Sequence, residues 1–283
     1  MERIDMKKKR IAICLYGVSK SVSSRSVDWR KSFFSFEKIF NNPGDNIEAD
    51  VFIHTWSTQE KDNLIESFSP KKVSVEKSIF PNYEIPEIVR RLNYPDSHGY
   101  DIQTKIQTIY SRWDSEGKSV ALKQKYEKEQ NFKYDFVLSC RFDLVFHRFF
   151  PLHLLEKDKF YISNWHLFNS PRKEWFGYQD AFFLGGTEIM DEHAKLFLHL
   201  DEYLDPRGDY HNHISKNLRR PEYEYVSNHG LARWHAINMG YVEKERLIGL
   251  EYETWNLFRK SHIRRNPHWT PDHNINNPLD PTR

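Results

Sequence analysis

Short apolar runs alternate with longer amphipathic stretches along this chain. Four of the runs predict strands buried in a sheet, and they lie at residues 10–16, 50–56, 72–75 and 136–140. Residues 102–130 instead place apolar side chains on one face at helical spacing, which predicts a long helix. The alternation indicates an α/β fold with a mostly parallel central sheet flanked by helices.

The rest of the chain continues the same pattern. Further strands are predicted at 160–163 and 181–184, and further helices at 29–40 and 225–239. Thr187 is expected to cap the helix that follows the strand at 181–184, because a threonine side chain can accept a hydrogen bond from a free backbone N–H group at a helix start.

Charged side chains follow the run at 136–140, where the predicted strand ends. Arg141 and Asp143 come directly after it, and Asp180 stands just before the predicted strand at 181–184. In open α/β sheets, ligands bind outside the carboxyl ends of the strands. A carboxylate there can hold a divalent metal, and the metal can hold a diphosphate. On spacing alone, a solvated loop pair explains Arg141 and Asp143 equally well.

A polar loop at 18–28 follows the first predicted strand. It contains several serines together with Lys20 and Arg25. Such a loop can bind a nucleotide diphosphate through backbone N–H groups and the Arg25 guanidinium. An ordinary surface loop is the alternative, because no glycine-rich fingerprint accompanies these residues.

Three short motifs and the first strand together resemble a known enzyme family. The motifs are DVFIHTW at 50–56, YDFVLSCRFDL at 134–144 and DAFFLG at 180–185. With the strand at 10–17, they are similar to a group of GT-A-type glycosyltransferases known from capsule and lipopolysaccharide gene clusters and from large viruses. The resemblance covers roughly residues 8–245. It implies a GT-A-like fold and the transfer of a sugar from a nucleotide-sugar donor to a glycan or glycolipid acceptor.

The resemblance also implies donor-side roles for particular residues. In such enzymes an arginine–x–aspartate element stands where others carry Asp-x-Asp, so Asp143 is carried over as a ligand of Mn²⁺ or Mg²⁺. Arg141 would then contact the donor diphosphate. Gln103, Lys105 and Tyr110 are similar to positions that line the donor pocket in the family. Polar residues on a helix surface are the alternative explanation of these three.

The resemblance implies acceptor-side roles as well. Asp180 is similar to the second acidic site of the family, and we expect it to be the general base of an inverting transfer. A cap at the strand entry is the alternative, and a retaining enzyme would need no such base. A late histidine completes the metal site in some GT-A enzymes, which makes His229 and His235 candidates. Surface or core histidines are the alternative for both.

The length of the chain allows one large domain or two small ones. The 283 residues are 39% hydrophobic and 15% aromatic, enough for a sizeable core. A net charge of +2 lacks the basic excess of a nucleic-acid-binding protein. We expect a single GT-A-like domain at 1–260, with a nucleotide-sugar half at about 8–150 and an acceptor half at about 151–260. The tail at 261–283 is rich in Pro, Asn, His and Arg and is expected to be extended.

The two cysteines and the termini bear on location. Cys14 and Cys140 both fall in predicted buried strands, which indicates reduced core thiols and a reducing compartment, the cytoplasm. The sequence contains no apolar stretch of transmembrane length. The basic residues Lys7–Arg10 and the arginine-rich tail can contact an anionic membrane surface peripherally, and solvated termini explain them as well.

Other function classes differ in the motifs they need. The sequence has no Walker loop, nucleophile elbow or dinucleotide fingerprint, which argues against kinases, hydrolases and dehydrogenases. Two alternatives to the transferase stay open. One is a non-catalytic carbohydrate-binding or scaffolding protein with a degenerate transferase fold. The other is a nucleotidyltransferase, which also holds metals with carboxylates at strand ends.

Overall fold

The computed structural model describes most of the chain. The described residues are 8–18, 46–56, 61–77, 83–93, 101–146, 152–164, 177–218, 221–250 and 255–257. The loop that carries Arg25, the predicted helix at 29–40 and the tail at 261–283 lie outside these ranges.

A seven-stranded sheet forms the centre of the molecule. Its strand order is β3-β2-β1-β4-β7-β6-β8, and β5 pairs with β9 in a separate two-stranded sheet. The strands are β1 Lys9–Gly17, β2 Ile47–Thr55, β3 Lys72–Val75, β4 Phe136–Arg141, β5 Leu144–Phe146, β6 Phe160–Asn164, β7 Phe182–Gly185, β8 Glu245–Leu250 and β9 Trp255–Leu257.

The sheet is mostly parallel, as predicted. β1 pairs in parallel with both β2 and β4, and β2 pairs in parallel with β3. β7 is antiparallel to β4 and to β6, and β8 is parallel to β6, so β6 and β8 run in the direction of β4. The chain moves outward from β1 to β3 and then returns to place β4 on the other side of β1. The strand order therefore reverses between β1 and β4, which is where open α/β sheets form a ligand crevice.

Seven α-helices lie among the described residues. They are α1 Lys61–Phe68, α2 Glu87–Arg90, α3 Ile102–Gln130, α4 Thr187–His193, α5 Leu200–Tyr203, α6 Asp209–Asn217 and α7 Asn228–Asn238. In the described part of the chain, no helix combines the length and the apolar character needed to cross a bilayer.

The long helix α3 has the bounds that the sequence predicts. The Asp101 side chain caps it by accepting a hydrogen bond from Thr104 N at 3.0 Å, and Asn131 ends it in a left-handed conformation with φ 53°. The helix is continuous through Gly117. A Cβ atom at Gly117 would lie 3.0 Å from the Ala194 carbonyl oxygen, so this glycine lets α3 approach the segment after α4 closely.

Alternating side chains of the strands form two cores, one on each face of the sheet. From β1, Ala12 and Cys14 pack toward α3, whereas Ile11, Ile13 and Leu15 pack on the opposite face with α1. Cys140 of β4 belongs to the second core, so the sheet separates the two thiols. Both cysteines are free and buried, as predicted, and burial raises the pKa of each thiol.

Two expectations about local structure are corrected. Thr187 does not cap α4: the N-cap residue is Gly186, and the Thr187 hydroxyl donates to Glu127 Oε1 at 3.0 Å. The helix predicted at 225–239 begins later, at Asn228, because the Ser227 side chain caps it by accepting from Gly230 N. The residues before Ser227 form turns instead.

Candidate active site at the carboxyl edge of the sheet

The carboxyl ends of β1, β2 and β4 meet at one edge of the sheet. Tyr16 lies opposite His54 of β2 on one side and opposite Arg141 of β4 on the other. Because β7 is antiparallel to β4, it begins at this same edge, and Arg141 N donates to Ala181 O at 3.4 Å. The fold therefore brings Asp180 to the strand end that carries Arg141 and Asp143.

Arg141 and Asp143 form a two-point ion pair. Arg141 Nε donates to Asp143 Oδ1 at 2.8 Å, and Arg141 Nη2 donates to Asp143 Oδ2 at 2.5 Å. The Arg141 side chain is 27% exposed, while Asp143 is buried. Burial alone would lower the pKa of Arg141, but the carboxylates of Asp143 and Asp180 outweigh burial and raise it. The guanidinium thus stays charged and reaches the surface of the site.

Arg112 of α3 holds Asp180 in place. Arg112 Nε donates to Asp180 Oδ2 at 3.2 Å, and Nη2 donates to the Asp180 carbonyl at 2.9 Å and to Tyr16 Oη at 2.9 Å. Its remaining nitrogen, Nη1, donates to Glu116 Oε2 at 2.9 Å. We call Arg112, Glu116 and Asp180 the carboxyl-edge cluster. It ties the acidic residue before β7 to the long helix and to the end of β1.

Glu116 anchors this cluster in the protein interior. Its Oε1 accepts from the Ser139 hydroxyl of β4 at 2.8 Å and lies 3.8 Å from His193 Nε2. Burial raises the pKa of Glu116, although Arg112 and Ser139 oppose that shift. The cluster therefore contains one arginine, one carboxylate near the surface and one carboxyl group in the core that binds a proton more readily than usual.

His229 lies beside Asp180 in the first turn of α7. Its Nδ1 lies 2.7 Å from the Tyr178 carbonyl oxygen and 3.7 Å from Asp180 Oδ1. Tyr178 N in turn donates to the His229 carbonyl at 3.0 Å. His235, the other late histidine, is buried and bonds Tyr203 Oη through Nδ1 and the Glu192 carbonyl through Nε2. Only His229 of this pair stands next to Asp180.

A metal at Asp143 stays a prediction. Both Asp143 oxygens accept hydrogen bonds from Arg141, and Asp180 Oδ2 accepts from Arg112. Among the residues the structure describes, no group of three or more His, Cys, Asp or Glu side chains is placed to hold a metal ion. A metal at Asp143 would therefore have to take over oxygens that now accept hydrogen bonds from Arg141.

The three donor-pocket candidates lie on α3 beyond the strand ends. Gly17 N donates to Ser115 Oγ at 2.9 Å, which places Ser115 level with the end of β1. The residues of α3 before Ser115 then project about 20 Å past the sheet, at 1.5 Å per residue. Gln103 donates to the Arg90 carbonyl, and Lys105 is half-buried and close enough to Glu224 to affect its pKa.

Tyr110 faces the helical layer. It is buried, donates to Asp201 Oδ1 at 2.5 Å and packs its ring against Tyr83 and Phe197. The structure thus brings Arg141, Asp143 and Asp180 together at one edge of the sheet. Gln103, Lys105 and Tyr110 lie on the part of α3 that extends beyond this edge. Their role in donor binding stays a prediction.

Sequence reasoning missed Arg112 and Glu116, although their spacing carried a signal. Ile109, Trp113, Glu116 and Val120 follow one another at intervals of three or four residues, so Glu116 falls on the apolar face of α3. A carboxyl group at such a position must be paired when it is buried, which points to the arginine four residues before it.

Comparison with known proteins adds no family to these observations. The chain matches no protein-family model, and no curated protein is significantly similar to it in sequence. The geometry of the carboxyl edge is therefore the basis for a functional proposal.

Proposed function

We propose that this protein is a glycosyltransferase that moves a sugar from a nucleotide-sugar donor to a glycan or glycolipid acceptor. The observation that carries the proposal is the set of charged groups at the edge where the strand order reverses. Arg141 ends β4, Asp143 follows it and Asp180 precedes β7, and the three meet next to the end of β1. A crevice of this kind is where α/β proteins bind nucleotides.

The donor side of the proposal rests on Arg141. A nucleotide-sugar leaves behind a diphosphate, whose developing negative charge must be stabilised. A guanidinium binds phosphate oxygens through two parallel N–H groups, and Arg141 already presents this geometry to Asp143 at 2.8 and 2.5 Å. Partial exposure leaves its side chain within reach of a ligand.

The acceptor side rests on Asp180. The acceptor hydroxyl of an inverting transfer loses a proton as its oxygen attacks, and a fixed carboxylate is one group that supports this step. Arg112 binds one oxygen of Asp180, at 3.2 Å, and the other oxygen lies 3.7 Å from His229 Nδ1.

We place the protein in the cytoplasm, where its two reduced thiols would be stable.

A thermal-shift panel tests the proposal. The panel covers UDP, GDP, dTDP and CMP compounds, each with and without Mn²⁺. One nucleotide should raise the melting temperature, and at a hundred times its dissociation constant the added stability is about 2.7 kcal/mol. If no nucleotide changes the melting temperature at millimolar concentration, the transferase proposal is contradicted.

The same panel on Asp143→Asn separates two ways of binding the diphosphate. Asparagine keeps the shape of the side chain and removes its charge. If a metal held by Asp143 binds the diphosphate, the variant should lose the Mn²⁺-dependent stabilisation and turnover. If Arg141 alone binds the diphosphate, binding should persist in the variant, because the guanidinium is released from its ion pair with Asp143.

Release of pyrophosphate from a nucleotide donor would instead identify a nucleotidyltransferase.

A further inference from the structure

His229 is held by two hydrogen bonds to one short segment. Its Nδ1 lies 2.7 Å from the Tyr178 carbonyl, and its own carbonyl accepts from Tyr178 N at 3.0 Å. A Cβ atom at Gly177 would lie 2.3 Å from His229 Cβ, so the segment passes directly against this residue. The imidazole is thus fixed in orientation even though its side chain is 25% exposed.

The partner of Nδ1 determines the tautomer of the ring. A backbone carbonyl only accepts hydrogen bonds, so Nδ1 must carry the proton. In the neutral ring Nε2 then holds a lone pair and is the basic atom. Asp180 Oδ1, at 3.7 Å, lies on the protonated side of the ring. An imidazole with a carboxylate beside one nitrogen and a lone pair on the other is the arrangement of a general base.

Asp180 is less well placed to take a proton itself. Its Oδ2 and its carbonyl both accept from Arg112, and its side chain is 11% exposed. The buried carboxyl of Glu224 is also close enough to His229 for their charges to interact. These acidic groups would stabilise an imidazolium once it forms.

We propose that His229 is the catalytic base of the sugar transfer and that Asp180 is its positioning residue. This inference rests on the proposed function. As the acceptor oxygen forms a bond to the anomeric carbon, its proton passes to His229 Nε2. The bond between the anomeric carbon and the diphosphate oxygen breaks, and the nucleoside diphosphate leaves with the electron pair. The imidazolium beside Asp180 then releases the proton to solvent.

Chemical rescue tests the proposal. In His229→Ala, transfer to acceptor should fall by about 10² to 10⁴, the usual contribution of a general base, while the donor-induced thermal shift is kept. Added imidazole should restore transfer in a concentration-dependent, saturating way, which a purely structural role would not produce. His199→Ala is the matched control, because that histidine is 30% exposed and stacks on Tyr203 away from Asp180. It should keep wild-type transfer and show no response to imidazole.

A second variant covers the case in which alanine prevents folding. His229→Asn places an amide N–H near the position of Nδ1 and can still donate to the Tyr178 carbonyl, but its amide cannot take a proton, so it should lose transfer to the same extent. Normal transfer in either variant would overturn the proposal. So would a folded, donor-binding His229→Ala that imidazole does not rescue.

The product stereochemistry distinguishes failure of the His229 assignment from failure of the proposed glycosyltransferase function. Retention of the anomeric configuration, seen by NMR, would overturn the assignment of His229 and leave the transferase standing. Failure of the wild-type protein to bind any donor would overturn the transferase and the base together.

Discussion

Two ionic clusters lie along α3, one at its middle beside the carboxyl edge of the sheet and one near its carboxyl end, and they differ in charge balance. At the amino edge of the sheet, Lys123 Nζ lies 2.7 Å from Asp191 Oδ1 and 3.1 Å from Glu127 Oε2, and Lys133 Nζ lies 2.9 Å from Glu127 Oε2. We call these four residues the amino-edge cluster. It pairs two lysines with two carboxylates. The carboxyl-edge cluster has two acidic groups for one arginine.

The pKa values of Glu127 and Glu116 show the effect of this difference in charge balance. Burial would raise the pKa of Glu127, but hydrogen bonds from Tyr134 N and from Lys133 outweigh burial and lower it. Burial raises the pKa of Glu116, because Arg112 is shared with Asp180 and does not compensate fully. A balanced cluster leaves no buried charge uncompensated, whereas an unbalanced one contains a carboxyl group with a perturbed pKa, which is typical of functional sites.

The largest expected effect comes from Asp180→Asn. Asparagine keeps an oxygen for Arg112 and leaves the cluster with one cation and one acidic group. Transfer should fall by about 10² to 10⁴, because the group that supports proton removal loses its charge. The free energy of unfolding should change by no more than about 1 kcal/mol. Measuring both quantities on one preparation checks this, and a destabilised variant with full activity would show that Asp180 is only a structural cap.

The next effect concerns stability at the amino edge of the sheet. Lys123→Met removes a fully buried cation and leaves Glu127 and Asp191 with Lys133 alone. The protein should lose about 3 to 5 kcal/mol of stability, the usual result of breaking a buried pair. The transfer rate per folded molecule should be unchanged.

Lys195→Met is the control for Lys123→Met. This lysine pairs with Glu192 at 2.6 Å with both side chains about half exposed, and such surface pairs contribute only about 0 to 1 kcal/mol. Denaturant unfolding of the two variants measures the contrast. Equal stabilities would mean that the amino-edge cluster does not stabilise the fold.

Much of the sheet was predictable from local pattern. The runs at 10–16, 72–75 and 136–140 and the helix at 102–130 correspond to observed elements, because burial of strands on both faces and of one helix face leaves a clear periodicity. The antiparallel direction of β7 could not be predicted from the sequence, because a short apolar strand has the same hydrophobic pattern in either orientation. β8 was also missed, because the charged residues Glu245 and Arg246 dilute its apolar pattern.

The candidate site was predictable only in part. Arg141, Asp143 and Asp180 follow from their position beside strand ends, and the fold brings them to one edge. Their partners come from elsewhere in the chain: Arg112 is 68 residues from Asp180, and His229 reaches Asp180 from α7. Contacts across such separations depend on tertiary packing, which no local pattern encodes.

The claim that the carboxyl edge is the ligand site and the amino edge is structural is tested most directly by removing one cation from each. The measurement is the nucleotide-induced rise in melting temperature of wild type, Arg141→Gln and Lys133→Gln. Wild type should gain about 2.7 kcal/mol at a hundred times its dissociation constant. Arg141→Gln should lose most of this gain, since a two-point phosphate contact is removed, and Lys133→Gln should keep all of it. An undiminished shift in Arg141→Gln, or its loss in Lys133→Gln, would contradict the assignment.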